Sequence, residues 1–463
     1  MNCIMSLDIG TTSITALAIE LQSGQILSSR TIPNNSDIPA HQDSRHEQNP
    51  DVILDASLNL IRSVVSELKS NEIKGIALTG QMHGVLIIDS DGKPVSPLIT
   101  WRDRRTLEDN APGSLAAARR QLSDSAARRC GCRLSAGYGG ATLHWLTTRG
   151  LVPPQSRAIS IPDLIAATLC GACITDTTFA ASWGLLNIDA LDWDAESIDS
   201  LGIPKSILPP IVKPGQTIGH LMPDIASRLG LPPTVLAFAP VGDNQASVIG
   251  VSGFRNEMVV NIGTGAQISI PCERTEYKDD METRPFSGNK ALLVAASLCG
   301  GWAYDYLCQF FRQAIIDLTG TEVSKNEIYS RMEALAQTAA VGLKTDTRFA
   351  GTRLDPDKRG SITGIGTKNL SVGSLARAFS AGIVEELAEF ANAAGLLGSM
   401  PVAASGNGVR KNPLVQDEIQ RQFGSCRLRN VSEEAALGAA YNAAAAIGAV
   451  DRDTVNRWAG ETQ

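Results

Sequence analysis

Apolar residues near the start of the chain fall in two short runs. Residues 4–9 are apolar except for Ser6 and Asp8, Gly10-Thr11-Thr12-Ser13 has turn chemistry, and residues 14–19 are again mostly apolar. This pattern predicts a β-hairpin over residues 4–20. It returns far downstream, where Met258-Val259-Val260-Asn261-Ile262 leads into Gly263-Thr264-Gly265-Ala266-Gln267 and then Ile268-Ser269-Ile270. Ile-Gly-Thr stands at 9–11 and again at 262–264, so two related halves are expected.

The remaining pattern agrees with a division near residue 250. Val52, Leu54, Leu58, Ile61, Val64, Val65 and Leu68 recur at helical spacing, predicting a helix over 52–69, and a buried strand is expected at 75–79. Prolines 209, 210, 214, 223, 232, 233 and 240 crowd the stretch before the division and disfavour long helices there. Residues 371–397 read as a long helix, and 432–447 as an Ala-rich one with Ser432 as its N-cap and Gly438 allowing close packing. Strands alternating with helices in both halves predict α/β domains, 1–250 and 251–463.

Composition narrows the class. The 463 residues carry 41 Lys+Arg against 48 Asp+Glu, a net charge of −7, which gives no basic footprint for nucleic acid or an anionic membrane. No apolar run approaches the ~20 residues of a membrane span. Nine scattered cysteines without a secretory signal point to free thiols and a cytoplasmic location. A zinc knuckle at Cys170-x-x-Cys173 would need a second pair at matching spacing, and Cys130-x-Cys132 does not supply it.

Candidate chemistry sits at the turns. Gly10 lets backbone N–H groups approach a phosphate while Thr11, Thr12 and Ser13 add hydroxyl donors, and Asp8 at the strand end is placed to hold magnesium through water. An ordinary hairpin turn would account for this once; Gly263-Thr264-Gly265 repeats it, so two hairpins could clasp a polyphosphate. No Gly-x-x-x-x-Gly-Lys-[Ser/Thr] occurs, nor a strand-linked Gly-x-Gly-x-x-Gly with its ribose carboxylate. Gly406-Asn407-Gly408, ahead of Asn412 and a helix from Pro413, could pass close to an adenosine or be a plain turn. Asp243 in Val241-Gly242-Asp243-Asn244-Gln245 could be a general base or a helix N-cap. Gln81-Met82-His83-Gly84 and Trp101-Arg102-Asp103 end strands where open sheets place ligands.

Taken together and in this order, these segments resemble the FGGY carbohydrate kinases, two-domain relatives of the actin, sugar-kinase and Hsp70 ATPase fold. The resemblance implies two actin-like, ribonuclease H-like domains with an ATP cleft between them, the first binding sugar and carrying one phosphate hairpin, the second binding nucleotide. It implies ATP and Mg²⁺ as cofactors, with phosphates at Gly10, Thr11, Thr12, Ser13, Gly263, Thr264 and Gly265 and adenosine at Gly406, Asn407 and Asn412. The sugar would meet Gln81, Met82, His83, Asp103 and Asn244. Asp243 becomes the base, and Asp8 with Asp243 the metal carboxylates.

Segments such as Gly140-Ala141-Thr142-Leu143-His144-Trp145, Ala180-Ala181-Ser182-Trp183-Gly184, Cys299-Gly300-Gly301 and Ile328-Tyr329-Ser330-Arg331 are most similar to the sedoheptulokinases of this family. The product would then be sedoheptulose 7-phosphate; xylulose or another ketose or polyol is the alternative substrate, and an actin- or Hsp70-like ATPase the alternative class. Arg104, where the family often has Gly, and Phe179, where a small polar or acidic residue is expected, depart from the pattern and bear on the sugar pocket. Nucleic acid and membrane are not expected partners; a homodimer is compatible with the sequence.

Overall fold

The computed structural model describes residues 2–460 except 41, 69–71, 109–111, 274–277, 279–280, 353–354 and 356. Its frame is two mixed sheets with the same internal plan. In the first, β1 (Asn2–Ile9), β2 (Ser13–Glu20) and β3 (Ile26–Pro33) form an antiparallel meander, and β4 (Glu72–Gly80) lies parallel to β1 on the other side. The strands β5 (Thr217–His220), β6 (Leu236–Phe238) and β7 (Val241–Gly242) extend the β4 side, with β6 and β7 parallel to β4. The second sheet has β8 (Met258–Ile262), β9 (Ala266–Cys272), β10 (Glu282–Pro285) and β11 (Ala291–Ser297), followed by β12 (Val402–Ser405) and β13 (Cys426–Leu428). Its order is β10-β11-β9-β8-β12-β13, so each sheet contains a first strand flanked by an antiparallel hairpin partner and a parallel strand. The recurrence of Ile-Gly-Thr thus marks a recurrence of topology.

The sequence explains why β1 is central. Cys3, Met5, Leu7 and Ile9 enter one core and Ile4 the other, a strand covered on both faces. Helix α1 (Pro50–Leu68) covers the first face through Ile53, Leu58, Ile61, Val64 and Leu68. Of the predicted stripe only Val52 departs: it is 44% exposed, and Ile53 takes its place in the core; Lys69 lies outside the described residues.

The helices that matter most for the site follow in chain order: α2 (Thr177–Ser182), α3 (Asp243–Ser252), α4 (Gly301–Thr319), α5 (Val372–Ala393), α6 (Pro413–Phe423), α7 (Glu434–Ala446) and α8 (Arg452–Gly460). Helix α5 stops at Ala393, short of residue 397, as the chain turns through Gly395. Helix α7 crosses back to the first sheet: Ala436, Leu437, Ala440 and Tyr441 share a core with Ile4, Leu17 and Ile19. It also meets α3 at van der Waals limit. A Cβ on Gly438 would stand 1.8 Å from the Ala246 carbonyl oxygen, and one on Gly250 2.0 Å from that of Glu434. Only glycine fits either position. The cap of α7 is Glu433, in the left-handed region at φ 63°, rather than Ser432.

Candidate active site

Parallel pairing sets the level of the acidic residues. Thr79 of β4 is the partner of Asp8 on one side and of Val241 on the other, and Gly80 is the partner of Ile9 and Gly242. Asp8 and Asp243 therefore leave the carboxyl ends of strands that flank a third, the place where open α/β sheets receive ligands. Asp243 is the first residue of α3, and Gly242 occupies the cap position with no side-chain cap. The N-cap reading of Asp243 is thus corrected: Gly242 stands at the cap, and Asp243 is the first residue inside the helix.

Burial raises the Asp8 carboxyl to about 8, and the negative neighbours Asp243 and Glu433 add to the shift. Burial also raises Asp243, to about 6, against the pull of the Arg284 guanidinium. Carboxyls held this high occupy a field that would favour a cation. Among the described residues no three His, Cys, Asp or Glu side chains form a cage for a metal ion. That donor set fits magnesium, which takes one or two carboxylates and completes its shell with water and phosphate oxygens. Glu433 had no sequence signal: its Oε2 accepts from Thr15 Oγ1 at 2.9 Å across more than 400 residues.

The first hairpin turn is fixed by its carbonyls. Gly10 N–H donates to Ser13 O at 2.9 Å, Asn34 Nδ2 donates to Gly10 O at 2.8 Å, and Gln48 Nε2 donates to Thr11 O at 2.8 Å. The N–H groups of Thr11 and Thr12 find no acceptor among the described residues and can serve an anion. Thr11 Oγ1 donates to Gln81 Oε1 at 3.1 Å and accepts from Trp101 Nε1 at 2.9 Å. Gln81 donates in turn to Gln48 Oε1 at 2.9 Å, so its amide braces the turn. The second turn is held likewise: Gly263 N–H to Gly265 O at 2.9 Å, with Gly301 and Trp302 N–H groups donating to the carbonyls of Gly263 and Thr264. Gly406 packs on it so closely that a Cβ would lie 2.5 Å from Ile262 O.

Beside this second turn a cavity of about 680 Å³ is lined by Gly263, Thr264, Asn407 and Asn412. Asn412 Oδ1 accepts from Leu414 and Val415 N–H groups and so caps α6, while Asn407 Oδ1 accepts from Arg410 at 3.0 Å. The opposite wall carries Trp302, Asp305, Lys325 and Tyr329, none of them singled out as ligands from sequence. Asp305 accepts from Tyr329 Oη at 2.9 Å and pairs with Lys325 at 2.5 Å. Of these only Tyr329 fell in a segment set apart from sequence, Ile328-Tyr329-Ser330, and there for its texture alone.

The other wall begins at the end of β4. Met82 is buried, with its sulfur 3.9 Å from an Arg284 nitrogen. His83, at φ 72°, places Nδ1 2.6 Å from the Ser182 carbonyl, which puts the proton on Nδ1 and leaves Nε2 as acceptor in the neutral ring; the ring stacks on Tyr138 at 4.4 Å. Tyr138 Oη donates to Glu282, Glu282 pairs with Arg284 at 2.6 Å, and Arg284 donates to Asn244 Oδ1 at 3.2 Å. Asn244 also donates to Ser269 Oγ at 3.0 Å. Met82, His83, Asn244 and Asp243 are therefore brought together by a chain of contacts through Tyr138, Glu282 and Arg284, three residues that sequence reasoning missed. Asp103 stands apart, its oxygens accepting from Arg105 and from His46 N–H. Arg104 turns to the Trp101 carbonyl at 3.0 Å, and Phe179 is fully buried.

The fold has close counterparts. A gluconate kinase from Lactobacillus acidophilus superposes with a TM-score of 0.85 over 99% of this chain and 92% of that one at 24% identity, and Plasmodium falciparum glycerol kinase with ADP at 0.85 over 100% and 93% at 20%. The architecture is that of the two-domain, actin-like sugar kinases. Residues 3–250 match the model of the N-terminal domain of the FGGY family of carbohydrate kinases. The chain is 29% identical to mouse (Mus musculus) sedoheptulokinase over 94% of its length and 96% of that protein, and 30% identical to the human (Homo sapiens) protein over 80% of each. The chain belongs to the FGGY family of carbohydrate kinases, and it is a sugar phosphotransferase. Family membership sets aside the filament-forming or client-binding ATPase.

Proposed function

We propose that the protein transfers the γ-phosphoryl group of ATP to the terminal primary hydroxyl of a ketose, sedoheptulose giving sedoheptulose 7-phosphate. The observation that carries the reading is Asp243, buried in the first turn of a helix at the sheet edge where Asp8 also emerges, with Arg284 beside it. The sedoheptulokinase likeness over nearly the whole chain supports the substrate.

In this reading the chain divides into 1–250 and 251–463, with phosphates between Gly10, Thr11, Thr12, Ser13 and Gly263, Thr264, Gly265, and adenosine near Gly406, Asn407 and Asn412. The ketose lies against Met82, His83 and Asn244, while Gln81 braces the phosphate turn and Asp103 shapes the wall through Arg105. Asp243 accepts the proton of the attacking hydroxyl, which must lie in line with the leaving oxygen. Magnesium, held by Asp8 and Asp243 through water, would offset phosphate charge. Exclusion of water is what separates a sugar kinase from an ATPase, so the reaction calls for closure of the walls around the sugar. The setting is cytoplasmic. Turnover across sedoheptulose, xylulose, ribulose and glycerol tests the substrate: sedoheptulose should give the highest kcat/KM, and equal or better performance by another would overturn it.

A further inference from the structure

A cavity of about 1140 Å³ opens behind the sugar wall, lined by residues from 177–214, by Phe254 and Glu273, and by residues from 285–291 and 442–452. None of the residues assigned above lines it. Its walls combine Phe254 and Phe286 with the cations Lys213, Lys290 and Arg452. Its carboxylates are Asp189, Glu273 and Asp451, and none of them is free. Glu273 pairs with Lys290 at 2.8 Å, and Asp451 accepts from Thr454 N–H at 2.7 Å to hold the start of α8. Among the described residues, two of the cations pair with no carboxylate. The Lys213 ammonium contacts no described partner, and Arg452 reaches Ser287 Oγ at 3.1 Å and the Phe254 ring at 4.9 Å. Asn442, only 7% exposed, also lines the cavity, and its amide has no hydrogen-bond partner among the described residues. The amide is still reached by solvent from the cavity, so a polar group of a ligand would take the place of water there.

The same segments hold the catalytic aspartate from behind. Thr177 precedes Thr178, whose Oγ1 accepts from Gly242 N–H at 2.7 Å, one residue before Asp243. Pro285 O accepts from Gln245 Nε2 at 3.3 Å, and neighbouring Arg284 holds Asn244. Asn442 rides on α7, which is locked to α3 through Gly438 and Gly250. A ligand in this cavity touches three segments that position residues 243–245.

We propose that this cavity is a second small-molecule site, taking an organic anion with an apolar body, and that its occupation alters phosphoryl transfer. The anion pairs with Lys213 and Arg452, the body packs on Phe254 and Phe286, and a polar group meets Asn442. The probe is 8-anilinonaphthalene-1-sulfonate, titrated by fluorescence into the full-length protein with the nucleotide site saturated by MgADP, followed by steady-state kinetics at saturating probe. Saturable binding is expected, weakened by about tenfold or more in Lys213→Glu/Arg452→Glu, and a change of about twofold or more in kcat or sugar KM is expected in the wild type but not in the variant. Both cations are on the surface, so the melting temperature should hold; if it drops, Lys213→Gln alone carries the test, with a weakening of about threefold. Equal affinity in wild type and variant would overturn the site, and saturation without kinetic change would overturn the coupling. Neither outcome bears on the substrate.

Discussion

Asp8 and Asp243 emerge at the same edge of the sheet on either side of β4: Thr79 pairs with Asp8 and with Val241, and Asp243 follows two residues further on. Their roles divide by environment: Asp8 sits between two other carboxylates, Asp243 beside a guanidinium. Asp243→Asn keeps the shape and removes the proton acceptor. Its kcat should fall by about 10²–10⁴-fold, the usual worth of general base catalysis, with melting temperature unchanged or raised. Single-turnover phosphoryl transfer at wild-type rate in a folded variant would remove Asp243 from the role of base.

Stability should depend on pH through the same pair. Both carboxyls have folded-state values, about 8 and about 6, above the 3.8 of the free group. The folded form therefore holds protons that the unfolded form releases, so their contribution is full below about pH 4 and is lost as pH rises through 6 and then 8. Asp8→Asn should melt higher than the wild type at pH 8.5, with the difference shrinking toward pH 5. A difference that grows on acidification would contradict the assigned burial.

Arg284 should matter as much as any residue visible in the sequence. It donates to Asn244, pairs with Glu282 and lowers the Asp243 carboxyl that burial raises. Arg284→Met removes the cation while keeping bulk, so the acid limb of the pH-rate profile should move to higher pH and sugar KM should rise by about tenfold, the effect of losing one charge-assisted hydrogen bond. An unshifted profile would mean that Arg284 only supports Glu282.

What the sequence made legible was local. The two Gly-Thr turns carry their own geometry, since a Cβ on Gly10 would lie 2.9 Å from Ser13 O. The Ala-rich run with Gly438 announced close packing before its partner was known. Arg284, Glu433 and Tyr138 were not legible, because each acts on a residue 40 or more positions away and has no periodic or motif signal of its own. Asp103 shows the reverse case. Its place after a short strand is local, but its binding to Arg105 and His46 depends on how the loop closes. The exposure of Val52 at the start of α1 has the same origin: periodicity marks a face, and packing decides which residues at its edge are covered.

Trp302 offers a direct view of nucleotide binding. It lines the cavity beside Gly263 and Thr264, is 37% exposed, and stacks on Tyr306 with ring centroids 5.4 Å apart. Its N–H donates to the Thr264 carbonyl, so its backbone is fixed to the second turn while its ring borders the open space. A nucleotide in the cavity would replace water against that ring. MgADP should therefore change the intrinsic fluorescence of the wild type, and Trp302→Phe should lose most of the change. The variant should also raise KM for ATP by about three- to tenfold, the loss of part of one aromatic contact, with KM for the sugar within twofold of wild type. A nucleotide-dependent signal of full size in Trp302→Phe would move the nucleotide away from this cavity, since Trp302 is the one tryptophan that lines it among the described residues.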